Sequence, residues 1–147
     1  MGKYTSEIWF QQRLPCIIPT IMGVLMVKKS RVGMGFGLFV TTDFKEGDFI
    51  IEYTGEIISS KEADRRVSKY LFQIDEYYTI DGAGESNRAR YINHFCNPNI
   101  EAVVEAGQIN FYALRDIQEG EELGFDYGEE YKDEFITPFG CKCPHCA

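Results

Sequence analysis

Apolar residues in this chain come in short runs, not in helical stripes, and that restricts its fold more than any other feature. Val24–Val27, Phe49–Tyr53, Tyr70–Ile74, Tyr77–Ile80, Ala102–Glu105, Ile109–Ala113 and Leu123–Tyr127 are separated by turns and rich in β-branched and aromatic residues. Runs of this length and make-up predict strands. Ala106-Gly107 between two of them predicts a hairpin turn. One helix is expected over Lys61–Val67, because Ser59 and Glu62 have the spacing of a capping box. A second helical turn is expected over 87–92. With 147 residues the chain is long enough for one compact domain with a real core. The fold class is therefore mostly β: several small sheets with short helices.

Asp43-Phe44-Lys45-Glu46-Gly47-Asp48 and Asp116-Ile117-Gln118-Glu119-Gly120-Glu121 echo one another. There is no regular period, so the echo reads as one Glu-Gly turn used before two strands rather than as a duplication.

A formal net charge of −8 argues against a nucleic-acid binder, which needs a basic face, and favours basic partners. Residues 16–27 are largely apolar but too short to span a bilayer, and Pro15 and Pro19 break the stretch. Glu7 and Arg13 fit a signal peptide poorly. The chain is read as intracellular, nuclear if its source is eukaryotic and cytoplasmic otherwise, with no membrane partner. Its five cysteines do not suggest a disulfide framework. Cys16 reads as a small buried hydrophobe. Cys141, Cys143 and Cys146 crowd the C-terminus and call for a separate explanation.

Three segments carry chemistry. Gly33, Gly35 and Gly37 alternate in a stretch ending Leu38-Phe39; taken alone, this is a strained turn that lets backbone amides approach a ligand. No helix is expected after it, so it is not a dinucleotide fingerprint. Arg90-Tyr91-Ile92-Asn93-His94-Phe95-Cys96-Asn97-Pro98-Asn99 holds a polar pair of the kind that most often ties loops together. Glu121-Glu122-Leu123-Gly124-Phe125-Asp126-Tyr127 ends in a tyrosine that, in isolation, would be a core residue with a capped hydroxyl.

Together, in this order and with Glu52-Tyr53-Thr54-Gly55-Glu56 between the first two, they closely resemble the signature of SET-domain protein lysine methyltransferases. The resemblance runs from about Val24 to Cys146. It implies the β-clip (SET) fold, with the last motif drawn through a loop near Asn93-His94 in a knot-like threading, an exception to unthreaded chains. It implies S-adenosylmethionine as cofactor, held by Gly35, Phe36, Gly37, Arg90, Asn93, His94 and Tyr127. Tyr127 is the implied catalytic residue, with Tyr53 lining the lysine channel and Phe125 setting how many methyl groups fit; Phe there implies di- or trimethylation. His94 as a general base is set aside, since the family does not use it so.

The chemistry suits these residue types. Methyl transfer to an amine needs the reacting atoms in line and about 3 Å apart, which is a positioning problem. Free lysine has a pKa near 10.4, and three units correspond to about 4 kcal/mol. An aromatic channel lowers that pKa by desolvation. A tyrosine hydroxyl at its end orients the amine.

The tail Cys141-Lys142-Cys143-Pro144-His145-Cys146 admits a thiol redox pair, but such a pair opens a helix and the expected context is lacking. Close-set thiolates suit tetrahedral Zn²⁺ better. The family's post-SET segment takes its fourth ligand from the Asn-His-x-Cys motif, which implies a zinc site of Cys96, Cys141, Cys143 and Cys146, with His145 as a substitute. The usual C-x-C-x4-C is shortened here to C-x-C-x2-C. Phe139 and Lys142 are expected near the cofactor's adenine. The expected organisation is an N-terminal extension (1–23), a SET domain (24–136) and a post-SET-like zinc tail (137–147). The implied function is lysine methylation of a basic protein, histone tails first, with a partner or a homodimer completing recognition. The competing reading is a catalytically silent SET-like module that binds peptide or scaffolds; a small zinc-ribbon protein accounts for the tail alone.

Overall fold

A computed structural model describes residues 23–146; most of the N-terminal extension, Cys16 included, lies outside them. Ten strands form four small sheets. β1 (Leu25–Lys29) and β2 (Phe36–Val40) make an antiparallel pair. β3 (Phe49–Tyr53), β8 (Ile100–Glu105) and β9 (Gln108–Ala113) form a sheet in the order β3-β9-β8. β4 (Glu56–Ser59), β5 (Leu71–Gln73) and β6 (Tyr78–Asp81) form another with β6 central. β7 (Asn93–His94) and β10 (Gly124–Phe125) pair in parallel, with Gly124 opposite Asn93 and Phe125 opposite His94.

The expected runs become strands where burial alternates. In β9, Ile109, Phe111 and Ala113 are buried, while the residues between them are not. The hairpin at Ala106-Gly107 forms as expected, with φ of 48° and 76°. Two successive positive φ values match the twist of the flanking strands, the geometry of a two-residue hairpin loop.

Three strands, β2, β4 and β7, depart from the sequence reading. The glycine stretch is expected to be a strained turn between strands, yet β2 starts at Phe36 and takes in Gly37. The reversal is completed by Gly33 and Gly35, at φ of 88° and 68°, and Ser30 N donates to Gly35 O at 2.8 Å. β4 was not expected either. The helix α1 covers only Ser60–Ala63, short of Val67, although Ser59 caps it by accepting from Glu62 N at 3.1 Å. Just beyond it, the Arg66 guanidinium reaches Glu56 (2.8 Å), Asp81 (2.9 Å) and Glu62 (3.2 Å), tying the chain back across β4 and β6. The turn expected over 87–92 is a 3-10 turn at Arg88–Tyr91.

The core is one cluster containing the fully buried Leu38, Ile50, Ile100, Ile109, Phe111 and Leu123. After β10 come a single helical turn α2 (Glu129–Tyr131), a π turn (Lys132–Ile136) and a 3-10 turn (Thr137–Phe139), none with a buried residue. They lead into the cysteine tail.

The echoed hexapeptides meet each other. Phe44 and Ile117 exchange backbone hydrogen bonds of 2.8 and 2.9 Å. Asp43 Oδ1 accepts from Glu119 N at 2.8 Å, and Asp116 Oδ1 accepts from Glu46 N at 3.0 Å. The two turns thus clasp reciprocally at the base of β10.

Candidate active site and metal centre

β10 and β7 carry most of the site, and Asn99 bolts them together. Buried Asn99 donates from Nδ2 to Glu122 O (2.8 Å) and accepts at Oδ1 from Gly124 N (2.9 Å). A Cβ on Gly124 would lie 2.0 Å from the Phe95 ring, so only glycine lets the two strands approach. This places Phe125 and Tyr127 over the core. The Phe125 ring is 4.9 Å from Phe111, 4.7 Å from Tyr127 and stacked on Phe72 at 5.8 Å. The ladder continues through Tyr131 to Phe135 at the surface.

A cavity of about 1050 Å³ runs along this ladder, enough to enclose a nucleoside-sized ligand and more. Tyr53, Phe125 and Tyr127 line it together with Gly35, Phe36, Arg90, Asn93 and His94. Phe139 and Lys142 from the tail line it as well. Gly37 does not. It is buried in β2, and a Cβ there would meet Glu122 Oε1 at 2.2 Å.

Tyr127 is fixed at both ends. Its hydroxyl donates to Ile92 O, and its backbone N–H donates to His94 Nδ1 at 3.1 Å. Burial, reinforced by the neighbouring Tyr131 and Tyr53, pushes its pKa up, so the phenol stays neutral at physiological pH. Tyr53 is raised the same way, first by burial and then by Asp81; its hydroxyl donates to Tyr70 O at 2.7 Å. Tyr70 accepts from Arg90 Nη2 at 3.3 Å, and the Arg90 guanidinium stands 4.5 Å over its ring. Burial would raise Tyr70, but Arg90 and Lys69 bring it below the ordinary phenol value. Arg90 Nε is buried without a hydrogen-bond partner among the described residues, and Arg90 lines the cavity.

His94 is buried, and burial lowers its pKa. Because Nδ1 accepts from Tyr127 N, the neutral ring carries its proton on Nε2, which lies 3.3 Å from Cys96 Sγ. Its hydrogen bonds are those of a linker between the Tyr127 segment and the cysteine cluster.

The sulfurs of Cys96, Cys141, Cys143 and Cys146 all lie within 4.8 Å of one another. Cys96–Cys141 is 3.8 Å and Cys96–Cys146 is 3.5 Å. Four sulfurs at about 2.3 Å around a tetrahedral ion stand about 3.8 Å apart, so this set can hold zinc. His145 is not among the converging donors. Burial would raise the Cys143 thiol, but N–H groups of Cys96, Cys146 and His145 directed at it bring its pKa down to about 6, while burial and its neighbours push Cys96 up. The shortened C-x-C-x2-C spacing still converges.

Glu122, Asn99, Tyr70 and Tyr131 all contribute to the site but were not singled out in the sequence. Glu122, Asn99 and Tyr70 fall inside motif or strand segments, which was the one available signal.

A mostly β domain with a large aromatic-ended cleft and a four-cysteine knuckle closing over it belongs to a recognisable class. Residues 35–128 match the family model described as the SET domain, well over half of the chain, and the chain belongs to that family. It is 42% identical over 123 residues to the histone-lysine N-methyltransferase EHMT1 of Mus musculus, covering 75% of this chain and 10% of that protein. It is also similar to a solved structure of ctPRC2 in an autoinhibited conformation bound to S-adenosylmethionine (38% identity, 71% of this chain and 15% of that one, TM-score 0.64). A humanized Chaetomium thermophilum Polycomb Repressive Complex 2 bound to the inhibitor GSK126 matches at 41% identity and TM-score 0.64, with the same coverage. The chain thus spans a small fraction of these relatives' length. Among the described residues no helix is long and apolar enough to cross a membrane.

Proposed function

We propose that this chain methylates lysine side chains of a protein, using S-adenosylmethionine, with a histone tail as the first candidate substrate. One observation carries the reading. The aromatic residues Tyr53, Phe125 and Tyr127 line the same cavity as Gly35-Phe36, Arg90, Asn93 and His94, so a channel for an amine opens onto a cleft for a nucleoside ligand. The histone-lysine methyltransferases among its relatives, and the cofactor-bound structural neighbour, support it.

S-adenosylmethionine supplies an activated methyl group when bound. Gly35, Phe36, Arg90, Asn93 and the backbone around His94 would hold it, with Arg90 Nε offering an unused donor. Tyr53, Phe125 and Tyr131 wall the lysine side chain off from water, which lowers the ammonium pKa by desolvation. Tyr127, neutral and anchored on Ile92 O, offers its oxygen lone pairs to the amine. It acts by position and electrostatics. Phe125 leaves space beside the amine that a tyrosine hydroxyl would fill, consistent with higher methylation. Zinc on Cys96, Cys141, Cys143 and Cys146 would hold the tail, and with it Phe139 and Lys142, against the cleft. Residues 24–136 then form the catalytic domain and 137–147 the closing tail, behind an N-terminal extension of residues 1–23. With a histone substrate the working compartment is the nucleus, and the net charge of −8 suits a basic tail.

The test is incubation with methyl-labelled S-adenosylmethionine and separate pools of core histones and lysate proteins, alongside Tyr127→Phe. Histone labelling lost in the variant is the expected result. Labelling confined to a lysate protein would move the substrate elsewhere; no labelling of either pool by the zinc-loaded protein would leave a silent binding module.

A further inference from the structure

The third motif's Asn93 can serve a ligand only if its amide faces the right way, and the structure holds a residue placed to decide that. Glu122 sits behind β7, outside the cavity lining. Its Oε1 accepts from Asn93 Nδ2 at 2.9 Å, and both of its oxygens lie 2.8 Å from Ser30 Oγ. Asn93 Nδ2 also donates to Phe36 O at 2.9 Å. An amide nitrogen has two hydrogens, and here both are taken. The carbonyl oxygen, Oδ1, accepts from no group among the described residues, and Asn93 lines the cavity. Turning the amide over would set Oδ1 against a carboxylate and a carbonyl, two acceptors with nothing to donate.

We infer that Glu122 is a positioning residue of the cofactor cleft: it locks the Asn93 amide so that Oδ1 faces the ammonium of an amino-acid-bearing ligand. The inference rests on reading the cleft as the S-adenosylmethionine site. The charge of Glu122 strengthens the lock, since hydrogen bonds to a carboxylate are about twice as strong as neutral ones. The same residue accounts for Gly37. That glycine has no positive φ and does not line the cavity, but a Cβ would lie 2.2 Å from Glu122 Oε1 and 2.8 Å from its carboxyl carbon. Gly37 is small to admit Glu122, not to admit the ligand. Glu122 itself is held by the bridge from Phe39 and by Leu123 N donating to Leu38 O at 2.8 Å. Three segments distant in sequence therefore meet on one carboxylate.

The experiment is calorimetric titration of S-adenosylhomocysteine into the zinc-loaded full chain and its variants, with unfolding midpoints measured in parallel. Glu122→Ala should weaken binding at least about tenfold, as should Asn93→Ala, and the double variant should be no more than about twofold weaker than Asn93→Ala, because residues acting through one another are not additive. Glu122→Gln keeps an acceptor for Asn93, while the Ser30 hydroxyl turns to accept from its amide. It should recover binding to within about threefold of the parent, a rescue that follows from retained hydrogen-bonding capacity. Gly37→Ala should weaken the parent strongly and add little to Glu122→Ala. Additive losses, or a Glu122→Gln as weak as Glu122→Ala, would overturn the inference while leaving the cofactor reading intact. A parent protein that binds no S-adenosylhomocysteine removes both.

Discussion

Stripping zinc from the cysteine knuckle should separate the tail from the rest of the fold. Among the described residues, none beyond Phe125 belongs to the core cluster or its packed hydrophobic margin. In the tail itself, Cys143 is the one fully buried side chain. Ordering the six backbones of Cys141–Cys146 costs about 1–2 kcal/mol each, roughly 6–12 kcal/mol together. One buried cysteine returns about 1–2 kcal/mol by area, so packing cannot hold the tail. Structural zinc contributes on the order of 10–16 kcal/mol in small zinc-finger peptides, which is enough. The chelated protein should therefore keep its sheet content and main melting transition. Its Cys96, Cys141, Cys143 and Cys146 thiols should become reactive to a thiol reagent, and proteolysis should cut near residues 137–146. Methyl transfer should fall to background, because Phe139 and Lys142 leave the cleft. Zinc affinity should rise with pH, since metal displaces protons from thiols such as Cys96 that are held above their ordinary value. Full activity in excess chelator, or four thiols that stay protected there, would refute the reasoning.

Three other outcomes are expected. Phe125→Tyr adds a hydroxyl to a ring that lines the cleft, so mass spectrometry of methylated peptide should show the product shifting toward monomethyl-lysine; an unchanged distribution counts against Phe125 as the limiting residue. Gly124→Ala forces a Cβ to 2.0 Å from Phe95 and should destabilise by about 3 kcal/mol, read by urea unfolding; a loss under about 1 kcal/mol would mean that β7 and β10 separate easily. Burial depresses the His94 pKa, so the unfolded chain binds more protons than the native one below about pH 6.5. Stability from this group is complete above that value and declines as pH falls through the native pKa. His94→Gln should flatten that slope in a pH series of melting curves, and an unaltered slope would assign it to other groups.

How much of this was legible depended on how local each cause is. β9 and the β8–β9 hairpin could be read because alternation and a two-residue loop are properties of adjacent residues. β2 was hidden by its own glycine: Gly37 looks like turn material, and its real reason is Glu122, 85 residues away (122 minus 37). β10 falls inside the Leu123–Tyr127 run, but β7 is two residues with no pattern of its own, and it pairs with β10 where Phe95 and Asn99 bond that strand. The helix was over-extended because a capping box marks where a helix starts and not where it stops, and Arg66 bonds carboxylates on β4 and β6 as well as on α1. Cavity-lining residues inside the quoted motifs, such as Tyr53, Asn93 and Tyr127, were recognisable by resemblance, whereas Tyr70 and Tyr131, which line the cavity too, lie outside those motifs. Glu122 and Asn99, which act on other site residues, were not recognisable in that way.

The clasp between the two echoed turns shows why the site stays aligned despite such short strands. Its two side-chain bonds are counterparts of one another: Asp43 accepts from Glu119 N and Asp116 accepts from Glu46 N, the same aspartate-to-turn bond made in each direction. Val40 N bonds Glu121 O at 3.0 Å, and Ala113 N bonds Asp48 O at 2.9 Å, the same relation in both directions. One turn leads from β2 into β3, which ends at Tyr53; the other leads from β9 into Glu122 and β10, which carries Phe125 to the threshold of Tyr127. A reciprocal clasp fixes both exits relative to one another before either reaches the cleft. Two channel walls and the carboxylate behind Asn93 are thus referred to one rigid base, and the two-residue strands above it only have to preserve an alignment already set.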